Sequence, residues 1–199
     1  MIALGMQQVV DFILELEKLK SVTRKIRPLG LDRYESSAEH SWQIAMLASS
    51  LAPYAEPSVD LTRVIAMLLV HDIGEIDAGD TFFFAEGAGD AKAKERAGVE
   101  RIFALLPEAE RARFLALWSE FDDGTSADAR FAHAVDRAMP VLLNLANHGQ
   151  SWRENGVSHA QVVKRVGPPV KAGCPALWAY LEARLDEAER AGWFGAHAP

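Results

Sequence analysis

Apolar residues recur at three- and four-residue intervals through most of the chain, and long β-branched runs are missing, which predicts helices throughout. Val9, Phe12, Ile13, Leu16 and Leu19 share one stripe of a first helix from about Met6 to Ser21, with Glu15, Glu17, Lys18 and Lys20 mostly opposite. A basic stretch, Thr23-Arg24-Lys25-Ile26-Arg27-Pro28, leads into a loop from Leu29 to Tyr34. Ser36 and Glu39 form a capping box for a second helix reaching Ala52, with Trp42, Ile44, Ala45, Leu47, Ala48 and Leu51 on its apolar face. Pro53 and Pro57 bracket the next connection, and Asp60 caps a helix from Leu61 to about Ile73 that is apolar on most sides and therefore central.

Gly74, Gly79 and Glu86-Gly87-Ala88-Gly89 mark a long irregular segment. Helices follow over Ala91–Leu106 and Glu108–Phe121, divided by Pro107, before a turn at Asp122-Asp123-Gly124. Ser126 or Asp128 opens a long helix to about His148, interrupted at Pro140. A loop through Trp152, a short helix from Ser158 and a final helix from about Pro175 to Ala191 complete the chain. The fold class is all-α, a bundle of about seven to nine helices. Its 199 residues suit one domain, with a core over about 12–165 and the last helix packing on it.

Composition narrows the partners. No apolar run approaches the 18 or so residues of a membrane span, and the N-terminus lacks the basic and apolar regions of a signal peptide. A single cysteine, Cys174, fits a reducing compartment, so a cytoplasmic protein is expected. With 28 acidic against 21 basic residues and a net charge of −7, general nucleic-acid binding is not expected. A small anion is still compatible, because a few local arginines can hold one phosphate.

The conspicuous chemistry is His71-Asp72-Ile73-Gly74-Glu75, followed by Asp77 and by Gly79-Asp80, at the end of the most apolar helix. A carboxylate and an imidazole against a buried surface need a partner, and a divalent cation satisfies both. Neighbours on a helix point about 100° apart, so an ion sits at the flank between them, and Gly74 stops the helix and lets Glu75 swing back. His40, at the start of the second helix, and Asp136, within the long helix, complete a shell of two imidazoles and two carboxylates. Such a set suits one open-shelled divalent ion, Mn²⁺, Co²⁺, Fe²⁺, Ni²⁺, Mg²⁺ or Zn²⁺, rather than a closed structural zinc.

The ordered set His40 … His71-Asp72 … Asp136 resembles the signature of HD-domain metal-dependent phosphohydrolases. Glu39-His40-Ser41, His71-Asp72 with Glu75, Gly79-Asp80 and Gly149-Gln150-Ser151-Trp152-Arg153-Glu154 are similar to the bacterial 5′-deoxynucleotidase branch. That resemblance spans about Phe12 to Arg165. It implies that His40, His71, Asp72 and Asp136 hold the metal, that Glu75 handles the protons of the attacking water and the leaving group, and that Arg24 grips the phosphate. It further implies that Asp80 meets the sugar and discourages a ribose 2′-hydroxyl. The implied substrate is a deoxyribonucleoside 5′-monophosphate, and the implied assembly is a homodimer. The alternatives are another HD phosphohydrolase, acting on a triphosphate, guanosine tetraphosphate or another small phosphoester, and a non-catalytic metal or nucleotide sensor.

Two features depart from that branch. Lys25 follows Arg24 where its members carry an aromatic residue, and Pro140 frees the Asp136 carbonyl from its helix bond. Arg27 competes with Arg24 for the phosphate. Asp77 reads as a turn residue, and His133, His148, His159 and Cys174 as structural or incidental. Phe82-Phe83-Phe84 and Trp152 read as core packing, with Phe82–Phe84, Trp193 and Phe194 available for a dimer contact.

Overall fold

The computed structural model describes residues 2–84 and 89–195. Its helices are α1 (Ile2–Glu15), α2 (Ser37–Leu51), α3 (Leu61–Val70), α4 (Glu75–Ala78) and α5 (Gly89–Phe103). They continue with α6 (Glu108–Asp123), α7 (Ala127–Ala146), α8 (Gln150–Glu154), α9 (His159–Gly173) and α10 (Pro175–Arg190). Short 3₁₀ turns cover Leu16–Ser21 and Ala52–Tyr54. There are no strands among the described residues, so the all-α class holds. An isolated antiparallel bridge joins Thr23 to Ser36. Of the irregular Glu86–Gly89 stretch, the first three residues lie outside the described residues and Gly89 opens α5.

The caps form as read. The Ser36 side chain accepts from the Glu39 backbone while Glu39 reaches back to the Ser36 N–H, and Ser158 with Gln161 repeats the box at α9. Asp60 and Ser126 cap α3 and α7. Each such cap contributes about 1 kcal/mol and fixes where its helix starts. Helix α7 is the centrepiece, packed most extensively against α9 and also against α2, α3, α6 and α10. Ala129, Ala132, Ala134 and Ala138 keep its surface low enough for those neighbours, and all four are fully buried. At Gly173 of α9 a Cβ would stand 2.0 Å from the Arg130 carbonyl, so the α7–α9 contact is backbone against backbone there.

Several expectations are corrected. Helix α3 ends at Val70, and His71 to Gly74 form a turn that leads directly into α4. Asp122 and Asp123 belong to α6, which stops one residue later at a left-handed Gly124. Helix α7 runs through Pro140 and α9 through Pro168 and Pro169, because packing on both sides outweighs the few backbone bonds a proline removes. The segment through Trp152 is helical as α8. On α1, Phe12 is buried but Ile13 is 55% exposed. On α2, Trp42 is 65% exposed, and the buried stripe is Ser37, His40, Ser41, Ile44, Ala45 and Ala48. That stripe has ordinary helical spacing; its first half is polar because it faces the site rather than the oily core.

Candidate metal centre

Four separate elements deliver the polar atoms. His40 comes from the first turn of α2, His71 and Asp72 from the turn after α3, Glu75 from the start of α4, and Asp136 from the middle of α7. Arg24 comes from the segment paired with residues 35–37, where its N–H donates to the Glu35 carbonyl at 2.8 Å and the Glu35 N–H donates to Ile26 O at 2.8 Å. Asp80 follows Gly79, whose φ of +76° is open to glycine and turns the chain toward the site.

The imidazoles and carboxylates converge. One donor atom each from His40, His71 and Asp72 lies within 4.8 Å of the others. Asp136 Oδ1 stands 2.9 Å from His40 Nε2 and 3.7 Å from His71 Nε2, so the structure brings all four sequence-nominated residues together. His40, His71, Asp72 and Asp136 are buried. The Leu68 carbonyl, 2.9 Å from His71 Nδ1, can only accept, which puts the proton there and turns the Nε2 lone pair toward the cluster. That Nε2 is buried and makes no hydrogen bond, although Asp72 Oδ1 is 3.0 Å away. A buried imidazole nitrogen without a partner, facing two carboxylates and a second imidazole, fits a divalent ion. Trp118 Nε1 donates to the His71 carbonyl at 3.1 Å and steadies the turn.

Without an ion, protons balance the cluster. Burial pulls the His71 imidazole down, but Asp72 and Asp136 outweigh it and lift the pKa to about 10. His40 falls to about 4 through burial and the nearby Arg24 guanidinium. Against burial, His71 and Arg24 bring Asp72 to about 2, and Arg137 with the two histidines holds Asp136 well below the usual range. Burial, reinforced by Asp72, pushes the Glu75 carboxyl up to about 9. Ser37 Oγ donates to Glu75 Oε2 at 2.6 Å. Burial also raises Asp80.

Arg24 donates to Asp72 Oδ2 at 2.8 Å and stands 3.7 Å from Asp80. Arg27 points elsewhere, pairing with Asp32 and Glu154 and lying over the Tyr34 ring. Of the two arginines, Arg24 is the one that contacts the cluster. Asp77 is bound by Arg101, and the His133 Nε2 lies 2.8 Å from the Phe121 carbonyl. Trp193 and Phe194, nominated for a dimer contact, pack inside the chain on His148 and Trp152.

A cavity of about 820 Å³ opens over the cluster. Its lining combines a polar group, Arg24, His71, Asp72, Glu75, Asp80 and Asp136, with an aromatic and apolar group, Phe82–Phe84, Val141, Trp152 and Val157, and with Arg165. The phenylalanine run packs half-buried against the core and lines this cavity.

Glu35, Ser37, Glu95, Arg137 and Arg165 also meet the site or its cavity. Glu35 is 1% exposed, with its Oε2 3.7 Å from His40 Nδ1 and 3.6 Å from Arg24 Nε, and burial raises its pKa to about 7. Ser37 was within reach, since it precedes His40 by three residues on one helical stripe. Glu95 lines the cavity from α5, where burial and Asp72 push it to about 7; no pattern in the sequence joins it to the site. Gly74 also has a different purpose from the one expected. Its φ of −61° is ordinary helix, and what it supplies is space: a Cβ would stand 2.4 Å from the Glu95 carbonyl of α5.

Comparison with known proteins agrees with this architecture. A profile of the HD domain family matches residues 16–178, and the chain belongs to that family. A crystal structure from Magnetospirillum magnetotacticum MS-1, described as a predicted metal-dependent phosphohydrolase, is 43% identical. It superposes with a TM-score of 0.92 over 96% of both chains. The 5′-deoxynucleotidase YfbR of Shigella flexneri is 31% identical over 147 residues, 68% of this chain and 73% of that protein. Human 5′-deoxynucleotidase HDDC2 is 26% identical over 140 residues, 69% of this chain and 67% of its own. The chain is a metal-dependent phosphohydrolase, and it resembles the 5′-deoxynucleotidases among them. No helix among the described residues is long and apolar enough to cross a membrane.

Proposed function

We propose that the protein is a 5′-deoxynucleotidase, hydrolysing deoxyribonucleoside 5′-monophosphates to deoxynucleoside and phosphate. The observation that carries the reading is the opening of the histidine–carboxylate cluster, Arg24, Asp80 and Glu75 onto one cavity. His40, His71, Asp72 and Asp136 hold one divalent ion, Mn²⁺, Co²⁺, Fe²⁺, Ni²⁺, Mg²⁺ or Zn²⁺. Such an ion acidifies a water and offsets charge on phosphoryl oxygens.

The remaining chemistry belongs to the chain. Arg24 directs its guanidinium to the phosphate, a fork that matches two phosphoryl oxygens, while Asp72 and Asp80 keep it protonated and aimed. Burial raises the Glu75 carboxyl in the metal-free protein; as a carboxylate it takes a proton from the attacking water and then delivers it to the departing 5′-oxygen. Ser37 fixes the carboxyl oxygen it touches, which leaves the other one for that exchange. Asp80, half-buried beside Arg24, meets the sugar hydroxyls and disfavours a ribose 2′-oxygen.

The test is phosphate release by metal-stripped protein with Mn²⁺, Co²⁺ or Mg²⁺ restored singly. The substrates are the deoxy- and ribonucleoside monophosphates and dATP, run beside Glu75→Gln. Release from the deoxy-monophosphates is expected, falling about 10²- to 10⁴-fold in kcat in the variant. Preference for dATP, or binding without release, would replace this reading with a triphosphatase or a sensor.

A further inference from the structure

One wall of the cavity is built from three adjacent phenylalanines, with two arginines that belong to helices α7 and α9. Phe82, Phe83 and Phe84 are half-buried, with Phe83 and Phe84 edge-on at 5.2 Å and Phe82 and Phe84 at 5.6 Å between ring centroids. The Arg137 guanidinium lies 4.0 Å above the Phe83 ring, and its Nε is 3.5 Å from Asp136 Oδ2. Arg165 donates from Nη1 to the Phe83 carbonyl, with its guanidinium 6.0 Å from the Phe83 ring and 5.9 Å from that of Phe84. Among the described residues no carboxylate lies within ion-pair distance of Arg165. Two cations therefore converge on one half-exposed ring, starting one residue from a nominated metal ligand.

The nearby hydrogen-bonding side chains are already engaged. Asn144 donates to Pro140 O and accepts from the Trp152 N–H, and Ser151 donates to the Lys25 carbonyl. What this wall offers a ligand is flat faces rather than edge-reading groups. Guanidinium planes and aromatic rings both stack on nucleobases, and stacking tolerates any base because each has a π-face. We infer that Phe83, with Arg137 stacked on it and Arg165 securing its backbone, is a nucleobase platform that binds the base of the substrate without selecting among bases. The inference rests on the deoxynucleotidase reading and extends it to the part of the substrate the metal end does not touch.

The experiment compares dAMP, dGMP, dCMP and TMP with deoxyribose 5-phosphate, which carries the same phosphate and sugar but no base. KM is measured with metal restored, and Kd by calorimetry in the Glu75→Gln background. Phe83→Leu removes the π-face but keeps apolar filling, and Phe83→Tyr keeps the ring. The expected result is a nucleotide preference over deoxyribose 5-phosphate that drops about tenfold in Phe83→Leu, the loss of one stacked base, similarly for all four bases. Phe83→Tyr restores it. An unchanged ratio in Phe83→Leu, no recovery in Phe83→Tyr, or equal Kd for nucleotide and deoxyribose 5-phosphate in the parent overturns the platform. Absence of phosphate release from every compound would strike the proposed function instead, while the Kd ratio would still decide the platform.

Discussion

The two ends of the cavity hold their side chains in different ways. At the metal end the four nominated ligands sit on, or directly adjoin, the helices α2, α3 and α7, and all four are buried. Their separations are set by helix packing, and a shifted side chain leaves a charged group stranded in a dry interior. At the aromatic end the residues sit on the connection after α4, remain half-exposed, and are held by arginines reaching in from α7 and α9. The metal end has its geometry imposed by the core; the aromatic residues are held by side-chain contacts from neighbouring helices. Chemistry needs the first arrangement, because reacting groups must be placed within fractions of an ångström, and tolerant recognition is served by the second.

The largest expected break is Asp136→Asn. It removes a charge next to both imidazoles, so divalent-metal binding by calorimetry should be lost and kcat/KM should fall about a thousandfold or more. Retained metal affinity would remove Asp136 from the ligand set. A smaller effect is expected one step out, at Glu35→Gln. The buried Oε2 faces His40 Nδ1 and Arg24 Nε with no hydrogen bond to either, all three atoms being unpartnered, and the carboxylate orients the ring whose other nitrogen faces the cluster. Metal affinity should weaken about 10- to 100-fold with circular dichroism unchanged. A loss confined to KM would make Glu35 a support for Arg24 alone.

A third effect concerns stability rather than activity. The folded Glu75 pKa of about 9 lies above its ordinary 4.5, so between these values the folded state binds more protons than the unfolded one. Glu75 thus stabilises the metal-free protein fully only below about pH 4.5 and opposes folding increasingly as pH rises toward 9. Thermal melting of the metal-free protein should show a shallower decline across that window in Glu75→Gln than in the parent. Equal slopes would mean that the carboxyl ionises freely in the fold.

Much of the metal end was legible in the sequence, and the aromatic end was not, for the same physical reason. His40, His71, Asp72 and Asp136 are chemically unusual where they stand, and the Ser36–Glu39 box announces its helix within four residues. Local rules failed where packing overruled them, as at Pro140 and the Pro168–Pro169 pair, or where a buried stripe turned polar and sent Trp42 outward. Phe83, Arg137 and Arg165 acquire their meaning only from meeting through space across three elements. Glu35 lay hidden inside a run that reads as a helix start, because its role depends on the pairing of residues 22–26 with 35–37.

Helix α5 contributes none of the four nominated ligands, yet it sets the distance between them and Glu75. Gly74 meets it with no room for a methyl group, and a Cβ on Gly98 of α5 would in turn stand 2.8 Å from the Gly74 carbonyl. The two glycines form a gauge: the turn that carries the His-Asp pair into α4 is pressed to a fixed depth by a neighbouring backbone. A single added carbon on either side would wedge the helices apart and draw Glu75 off Ser37. Neither glycine touches the cluster, yet the room for a side chain at both is set by the same backbone seam that places Glu75.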